Sequence, residues 1–219
     1  MKRGLFIAFE GPDGSGKSTI LQMLYKKLIK NIHNHLIVLT REPGGHNNII
    51  AEDIRNILLN KVEYKIDDRA EALLFAASRA QHVKDFILPH LNNGNIVLCD
   101  RYIYSSLAYQ GYARGLGFES IWEINNFAIQ KTLPDLTIVL MIKPEVGIER
   151  IKTNTLREYN RLDQEKMDMH RKVYEGYQKI IKENRDHSII EIDADSDIET
   201  VFNRVYTLVL KTIMEHYGE

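Results

Sequence analysis

The sequence predicts an α/β protein, a three-layer doubly wound sandwich around a five-stranded, mainly parallel sheet. Five short apolar runs alternate along the 219 residues with longer segments of helical periodicity. Four of the runs are apolar almost throughout, which is typical of parallel strands that helices bury on both faces. Alternation of strands and helices is typical of a doubly wound sheet. Because no internal repeat or linker interrupts this order, we expect a single domain over residues 1–219.

The strands are predicted from the apolar runs and the helices from the periodic segments between them. The runs LFIAF, LIVLT, NIVLCD and LTIVLMI are nearly continuous, whereas the fifth, SIIEID, also carries acidic residues. The predicted strands are Leu5–Phe9, Leu36–Thr40, Asn95–Asp100, Leu136–Ile142 and Ser188–Asp193. The predicted helices are Lys17–Lys30, Ile49–Asn60, Arg69–Asn92, Tyr104–Tyr112, Ser120–Thr132, Glu145–Lys152, Asp163–Asn184 and Ile198–His216. Ligands of such sheets bind beyond the carboxyl ends of the strands, so the residues after each run are the candidates for function.

The composition argues against several classes of partner. The formal charge of −1 provides no bulk attraction to nucleic acid or anionic lipid, so we expect neither as a partner. The single cysteine, Cys99, cannot form an internal disulfide, and its apolar surroundings favour a buried, inert thiol. The apolar run before Glu10, Leu5–Phe9, has only five residues, too few for a signal peptide, and no run has transmembrane length. We therefore expect a cytoplasmic protein without a membrane partner.

The loop after the first predicted strand carries a phosphate-binding motif. Gly11–Ser18 reads GPDGSGKS and matches G-x-x-x-x-G-K-[ST], with a strand before it and a helix after it, as in P-loop NTPases. Glycines in such a loop let backbone N–H groups face phosphates, and the helix N-terminus adds its dipole. We expect Lys17 to bridge the outer phosphates and Ser18 to offer its hydroxyl to Mg²⁺. The predicted triphosphate-binding residues are Gly11, Pro12, Asp13, Gly14, Ser15, Gly16, Lys17, Ser18 and Thr19.

The rest of the chain narrows the class of P-loop protein. No N-K-x-D follows a late strand, which argues against a GTPase, and the chain is too short for the added modules of most motor ATPases. Small-molecule kinases remain, and these need a second pocket for the phosphate acceptor. Asp100, at the end of the third predicted strand, is suited to hold Mg²⁺ directly or through water. Arg101 follows it, and its planar guanidinium is suited to an anion of the acceptor.

Six segments make the chain resemble the thymidylate kinase family, in its bacterial type. They are FEGPDGSGKST, TREPGG, LLFAASRAQH, DRYIYSSLAYQGYARG, PDLTIVL and NRLDQE, and the resemblance extends over nearly the whole length. It implies transfer of the γ-phosphoryl group of ATP to dTMP, with Mg²⁺ as cofactor and with dTDP and ADP as products. It also implies a homodimer formed through helices beside the sheet. The apolar helices around Leu73–Val83 and Ile121–Ile129 could serve for this, or could equally be core.

The resemblance also implies which side chains hold the acceptor. Asp13 would accept a hydrogen bond from the 3′-hydroxyl of the sugar, which explains why a phosphate loop contains a carboxylate. Phe75 would stack on thymine, and Arg79, one helical turn further on, would donate to its O4. Gln110 would accept from the base N3–H, and Tyr109 would leave no room for a ribose 2′-hydroxyl. The other implied acceptor residues are Glu42, Pro43, Arg55, Leu59, Arg101 and Ser106.

Charge that develops on the transferred phosphoryl group must also be neutralised, yet the loop GPDGSGKS carries no arginine. The stretch NTLREYNRLD contains Arg157 and Arg161, and the resemblance implies that this segment, about residues 153–162, is a lid. Lid closure would exclude water and suppress ATP hydrolysis. The resemblance also places Asp193–Asp197 at an adenine pocket. The predicted catalytic residues are Lys17, Arg101, Arg157 and Arg161, and the predicted metal ligands are Ser18 and Asp100.

Three other functions remain open at this point. A kinase for another nucleotide, such as CMP or UMP, is disfavoured by Arg79 and Tyr109. A non-enzymatic nucleotide switch or binding module could do without the acceptor residues, and ADP release that depends on dTMP would separate it from a kinase. A shikimate-type kinase would not need the base-reading set of Phe75, Arg79 and Gln110.

Overall fold

The structure is a computed structural model that describes residues 2–45, 48–60, 65–153, 161–183 and 188–218. Its sheet contains the strands β1 (Phe6–Glu10), β2 (Ile37–Arg41), β3 (Ile96–Asp100), β4 (Leu136–Met141) and β5 (Ile189–Asp193). The strands lie in the order β2-β3-β1-β4-β5, and each pairing between them is parallel. The predicted fold class is confirmed, and the described sheet is parallel throughout rather than mainly so.

Helices connect the strands and cover the sheet. They are α1 (Lys17–Asn31), α2 (Ile49–Leu59), α3 (Asp68–His82), α4 (Leu88–Asn92), α5 (Ile103–Ser106), α6 (Phe118–Ile129), α7 (Pro144–Thr153), α8 (Met167–Glu183) and α9 (Ile198–Tyr217). Two stretches of π-helix, Val83–Ile87 and Leu107–Ala113, follow α3 and α5, and Leu162–Gln164 forms a 3-10 turn. None of the described helices is both long and apolar enough to cross a membrane.

Two of the predicted helices contain π-helical stretches that the sequence pattern did not predict. The segment Arg69–Asn92 is helical throughout, but Val83–Ile87 within it is π-helix. The segment predicted as a helix over Tyr104–Tyr112 is a short α-helix that continues as π-helix. A π-helical turn is wider than an α-helical one and changes the direction in which the following side chains point. Tyr109 and Gln110 lie in this wider turn and are both buried.

The helix predicted to begin at Asp163 begins later, at Met167. The backbone of Glu165 is extended, with φ −61° and ψ 154°, and this interrupts the helical path after the 3-10 turn. The Glu165 carboxylate accepts a hydrogen bond from Nη2 of Arg114 at 2.6 Å. A tertiary ion pair therefore accompanies the break in the helix. The helical periodicity of the sequence continues across these residues and gives no sign of the break.

The sheet separates two apolar layers, which makes the fold three-layered. Alternate residues of β1 point to opposite sides, as the strand geometry requires. Ile7 and Phe9 belong to the cluster that includes α1 and α9, whereas Phe6 and Ala8 belong to the cluster that includes the first π-helical stretch and α4. All four side chains are completely buried, at 0% exposure. Burial on both faces explains why the run reads as continuously apolar.

The parallel register brings the carboxyl ends of β1, β2 and β3 to one edge. Phe9 pairs with Asp100, and Asp100 pairs with Arg41 on the other side. The residues that follow these strands therefore lie near one another, although they are far apart in sequence. Loop Gly11–Ser18 and Arg101 both start from this edge. In open parallel sheets this is the edge at which ligands bind.

Candidate active site

A cavity of about 780 Å³ opens at this edge, and the loop Gly11–Ser18 forms part of its wall. Gly14 has φ 77°, and a Cβ there would lie 2.1 Å from the carbonyl oxygen of Gly147 in α7. Only glycine permits both this conformation and this close approach. Helix α1 begins at Lys17 without a side-chain cap, so its first backbone N–H groups are directed at the loop without competition from a capping side chain.

Lys17 is buried in the loop, where backbone carbonyls hold its ammonium group. Nζ donates to the carbonyl oxygens of Gly11 at 2.9 Å and Pro12 at 2.8 Å. Burial lowers the pKa of Lys17 to about 7, and the charge of Arg101 adds to this effect while Asp100 opposes it. Negative charge close to the ammonium group would favour the protonated form. A phosphate group placed at Lys17 would therefore restore its full charge.

Ser18 and Asp100 lie together beside the loop. The hydroxyl of Ser18 donates to Oδ2 of Asp100, the last residue of β3. Mg²⁺ prefers oxygen ligands, and at phosphate sites it often takes one or two from protein and the rest from phosphate and water. Within the part of the chain that the structure describes, no group of three or more His, Cys, Asp or Glu side chains could hold a metal. Ser18 and Asp100 therefore fit a cation that binds together with a triphosphate.

Arg101 contributes a partly buried guanidinium group to the cavity wall. Its backbone has φ 67°, a conformation that residues other than glycine rarely adopt. The Arg101 N–H donates to the carbonyl oxygen of Phe9 at 2.8 Å, which holds this conformation. Nη2 donates to Oδ1 of Asp13 at 2.5 Å and to the hydroxyl of Tyr109 at 3.3 Å. The Tyr109 hydroxyl donates in turn to Oδ2 of Asp13 at 2.6 Å, so the three side chains form one closed network.

Glu10, the last residue of β1, is a buried carboxylate that supports the turn after Arg101. Its Oε1 accepts from the backbone N–H groups of Tyr102 at 2.8 Å and Ser105 at 3.0 Å. Its Oε2 accepts from the hydroxyls of Ser105 at 2.5 Å and Tyr177 at 2.8 Å. Burial raises the pKa of Glu10, although these hydrogen bonds and Arg101 oppose the rise. Sequence reasoning did not select Glu10, although its position at the carboxyl end of a buried strand could have indicated it.

Arg79 of α3 is 2% exposed and is held from several sides. Nε donates to Oε2 of Glu42 at 2.6 Å, and Nη2 donates to the carbonyl oxygen of Tyr102 at 3.0 Å. Nη1 donates to the hydroxyl of Ser106 at 3.0 Å and to Oδ1 of Asn125. These bonds use four of the five guanidinium N–H groups. One N–H on Nη2 takes no part in these four bonds, and Arg79 is among the residues that line the cavity.

Phe75 and Gln110 line the cavity next to Arg79. Phe75 is 9% exposed and packs against Leu59 at the end of α2. Gln110 is 1% exposed, and its Nε2 donates to Oε1 of Glu71 at 2.9 Å. With the amide N–H group engaged in this way, Oε1 of Gln110 is the atom that can accept a hydrogen bond from a ligand. An aromatic ring, one N–H donor and one acceptor oxygen together suit a pyrimidine that presents a carbonyl beside an N–H.

The segment after β2 brings positive charge to another part of the wall. The carbonyl oxygen of Pro43 accepts from Nη1 of Arg55 at 3.0 Å and from Nη1 of Arg41 at 3.1 Å. Two guanidinium groups therefore meet at one carbonyl, where they suit an anionic ligand. Arg41 lines the cavity although the sequence analysis did not select it. As with Glu10, the position of Arg41 at the end of a strand could have indicated it as a site residue.

The cavity extends past the loop to the end of β5. Arg150 of α7 lines this end, and its Nη1 donates to the carbonyl oxygen of Ala194 at 3.0 Å. Ile198 and Val201 of α9 add apolar surface. A guanidinium plane beside apolar side chains can pack against a planar base. Arg150 was not predicted, whereas the neighbouring stretch Asp193–Asp197 was.

The cavity brings together every residue that was predicted for the acceptor. These are Asp13, Glu42, Pro43, Arg55, Leu59, Phe75, Arg79, Arg101, Ser106, Tyr109 and Gln110. It is also lined by Asp13–Thr19 of the loop and by Asp100, whereas Gly11 and Pro12 are buried and hold Lys17 through their carbonyls. What each side chain does to a ligand stays a prediction.

The structure describes one of the two predicted lid arginines, Arg161. Arg157 lies outside the described residues. Arg161 donates through Nε to the carbonyl oxygen of Leu58 at 3.0 Å and through Nη2 to Oε2 of Glu71. In this conformation it is not among the residues that line the cavity, and its predicted catalytic role stays a prediction. The physical reason for its position is the buried Glu71 carboxylate, which attracts the guanidinium and which sequence reasoning missed.

Comparisons with known proteins agree with one another. A family model described as thymidylate kinase matches residues 9–205. The thymidylate kinase of Clostridium novyi (strain NT) is 50% identical over 205 residues, which cover 94% of this chain and 98% of that protein. The thymidylate kinase of Bacillus licheniformis is 46% identical over 213 residues, with 97% and 98% covered. That of Bacillus velezensis is 53% identical over 179 residues, or 82% of each chain. Similarity of this extent shows that the chain belongs to the thymidylate kinase family and is therefore a kinase.

Proposed function

We propose that this protein transfers the γ-phosphoryl group of ATP to dTMP and releases dTDP and ADP. The observation that carries the proposal is that one cavity contains both the phosphate loop and the set Phe75, Arg79 and Gln110. A nucleotide switch needs only the loop, whereas two ligand sites on one cavity support transfer between them. An oxygen of the dTMP phosphate bonds to the γ-phosphorus, and the bond between that phosphorus and the bridging oxygen of ADP breaks. No general base is needed, because the attacking oxygen is already anionic.

Catalysis in this proposal is positioning and charge neutralisation. Lys17 contacts the outer phosphates, and Arg101 contacts the phosphate of dTMP. Mg²⁺ would be held by Ser18 and Asp100, and when bound it neutralises charge on the triphosphate. The hydrogen bond between the Ser18 hydroxyl and Asp100 supports this assignment, because it puts two oxygen ligands side by side at the loop.

The lid arginines complete the proposal. Arg157 and Arg161 are proposed to meet the charge on the transferred phosphoryl group. For Arg161 this requires its guanidinium to leave the Glu71 carboxylate to which it donates. Removing an arginine that acts in this way costs about 10³–10⁵ in rate, so the two can be ranked by single and double substitution.

Recognition of the acceptor rests on the buried groups beside Phe75. Arg79 donates its remaining N–H to O4, and Gln110 accepts from N3–H. Asp13 already accepts from Arg101 and Tyr109, but carboxylate oxygens have further lone pairs for the 3′-hydroxyl. Thymine and uracil both satisfy this pattern, and the single methyl group that separates them is worth about 1–3 kcal/mol.

A coupled assay of ADP release tests the function with dTMP, dUMP, CMP, UMP, AMP and shikimate as acceptors. We expect the highest kcat/KM for dTMP, with dUMP lower by about 10- to 200-fold and the others far below. Lys17→Ala should abolish the release, whereas Lys143→Ala, at an exposed lysine beyond β4, should not. ADP release that is independent of dTMP would support a nucleotide switch. A preference for CMP or UMP would support a different kinase.

We also propose a homodimer formed through α2, α3 and α6. Helix α3 packs against both of the others, and their outer faces expose Ile57 by 53%, Leu73 by 57% and Phe127 by 87%. Exposed apolar groups on adjacent helices are typical of an interface. Sedimentation equilibrium should give a dimer for the native chain and for Met214→Lys on α9, but a monomer for Phe127→Lys. A native monomer would contradict this proposal. We propose the cytoplasm as the place of action, because charged nucleotides do not cross membranes unaided.

A further inference from the structure

Glu71 of α3 is a buried carboxylate that does not line the cavity but touches a residue that does. Its side chain is 1% exposed. Oε1 accepts from Nε2 of Gln110 at 2.9 Å, and Oε2 accepts from Nη2 of Arg161. Arg114 approaches both oxygens at 3.4 Å. Of the three partners of Glu71, Gln110 lines the cavity, whereas Arg114 and Arg161 do not.

The charge state of Glu71 follows from its neighbours. Burial opposes ionisation of the carboxyl group, but the bonds and charges of Arg161 and Arg114 outweigh it and lower the pKa of Glu71. The group is therefore a carboxylate at neutral pH. An ionised carboxylate has acceptor atoms only. Any hydrogen bond between Glu71 and Gln110 must consequently be donated by Gln110.

This restriction decides the orientation of the Gln110 amide. An isolated carboxamide can turn over and exchange its donor and acceptor ends at little cost. Next to a carboxylate that accepts only, the NH₂ end must face Glu71, and the oxygen must face the other way. The turned orientation would set two acceptor oxygens against each other in a buried place, which is strongly unfavourable.

We infer that Glu71 is a positioning residue that sets the base specificity of the acceptor pocket by fixing the amide of Gln110. This rests on the proposed function, because it concerns how the dTMP pocket reads its base. With the oxygen of Gln110 fixed toward the ligand, the pocket requires a donor at N3 of the pyrimidine. Bases whose N3 is an acceptor would meet the oxygen unfavourably, whatever group they carry at C4.

The inference predicts that Glu71→Gln relaxes this requirement. Glutamine at 71 has nearly the same size, but it carries both a donor and an acceptor. It can donate to the oxygen of Gln110, and the Gln110 amide can then turn its NH₂ end toward the ligand. The variant should therefore accept an N3 acceptor better than the native enzyme does, and it should bind dTMP more weakly.

The test compares dTMP with 5-methyl-2′-deoxyisocytidine 5′-monophosphate. This analogue keeps the methyl group and O4 of thymine but has an unprotonated N3. The measurement is the ratio of kcat/KM for the two acceptors, which a general loss of activity or stability would leave unchanged. We expect Glu71→Gln to lower the ratio of kcat/KM for dTMP to kcat/KM for the analogue by at least about tenfold relative to the native enzyme, as for one buried hydrogen-bond mismatch.

Two controls separate positioning from disturbance of the arginines. Glu71→Asp keeps an acceptor-only carboxylate and should keep the native ratio. Glu165→Gln removes another carboxylate that Arg114 contacts, at 2.6 Å, without changing Glu71 or Gln110, and should also keep the native ratio. A native ratio in Glu71→Gln overturns the inference. An equally narrowed ratio in Glu165→Gln also overturns it, because the effect would then arise from Arg114.

A second measurement applies if Glu71→Gln does not fold. In the native protein, the side-chain NH₂ resonances of Gln110 can be identified by their loss in Gln110→Leu. We expect them to be shifted and protected from solvent exchange, with and without dTMP. Resonances with the shift and exchange of a solvated amide would overturn the inference. If the native enzyme does not phosphorylate dTMP at all, the proposed function fails first, which distinguishes the two failures.

Discussion

Asp13 and Arg101 form an ion pair at the cavity wall, with 2.5 Å between Oδ1 and Nη2. The second carboxylate oxygen of Asp13 accepts from the hydroxyl of Tyr109 at 2.6 Å. The loop carboxylate is thereby bonded to two donors on the acceptor side, and Arg101 offsets its charge. This arrangement explains how a loop that binds phosphate can contain an acidic residue.

Asp13→Asn should lower kcat/KM for dTMP by about 10- to 100-fold, because a hydrogen bond to a charged group is worth about 1.5–3 kcal/mol. The loss should fall mainly on KM, since Asp13 is proposed to hold the sugar and Arg101 rather than the transferred group. Steady-state kinetics check this. Asp168→Asn, at an exposed carboxylate on α8, is the control and should be silent. Native KM in Asp13→Asn would show that the pair has no part in binding dTMP.

Lys17 should take up a proton when ATP binds. Its pKa of about 7 in the free protein leaves it largely neutral at pH 8.5, and the triphosphate should restore its charge. Calorimetry in two buffers of different ionisation enthalpy measures how many protons are taken up. At pH 8.5 this number should approach about one per ATP, because the amine is neutral before ATP binds and charged afterwards. Lys17→Arg stays charged throughout and should show no uptake. Equal proton uptake by the two proteins would contradict the depressed pKa.

The metal requirement should depend on Asp100. Chelation of Mg²⁺ should abolish turnover in the native enzyme. Asp100→Asn should raise the Mg²⁺ concentration needed for half-maximal activity by about tenfold or more, because it removes the one anionic protein ligand proposed for the ion. Ser18→Ala should act in the same direction but less strongly. A titration of activity against Mg²⁺ at saturating ATP and dTMP would refute the assignment if all three proteins gave one curve.

Glu10→Ala and Glu10→Gln should differ sharply in stability. Alanine leaves the buried N–H groups of Tyr102 and Ser105 without their acceptor, at about 1–3 kcal/mol each. Glutamine retains an acceptor oxygen for both N–H groups and can donate its NH₂ to the hydroxyls of Ser105 and Tyr177, which can turn to accept. Urea unfolding at pH 7 should therefore show a large loss for alanine and a small one for glutamine. Equal losses would mean that the hydrogen bonds of Glu10 do not hold this turn.

The same pair of proteins tests the raised pKa of Glu10. The folded protein keeps the carboxyl proton above the unfolded pKa of 4.5, so the unfolded state binds fewer protons there. The stability that this group contributes is therefore present below pH 4.5 and falls as the pH rises through the folded pKa. The free energy of unfolding of the native protein should fall relative to that of Glu10→Gln over this range. A constant difference would contradict the raised pKa.

The fold and the phosphate loop could be predicted because their signals are local. Continuous apolar runs mark buried parallel strands, and Gly11–Ser18 has a fixed spacing between a strand and a helix. The acceptor residues were predicted from a resemblance, since nothing local distinguishes Phe75 from a core residue or Arg79 from a surface charge. The structure adds that Arg79 is buried by partners from four other segments.

The residues that were missed act through contacts between distant parts of the chain. Glu71 meets Gln110 across 39 positions, and Glu10 meets Tyr177 across 167. A single carboxylate in a helix or at a strand end gives no sign of such a partner. The contact of Arg161 with Glu71 was missed for the same reason, because a buried carboxylate at position 71 was not foreseen. The π-helical turn around Gln110 was also missed, since helical periodicity does not separate α-helix from π-helix over so few residues.

A crystal structure with dTMP and a non-hydrolysable ATP analogue tests most directly whether the two nucleotides meet in one cavity. The account predicts that the triphosphate lies against Lys17, that thymine lies against Phe75, and that its O4 and N3–H contact Arg79 and Gln110. It also predicts that the acceptor phosphate oxygen faces the γ-phosphorus. Binding of dTMP elsewhere, or with its base turned away from Arg79 and Gln110, would contradict it.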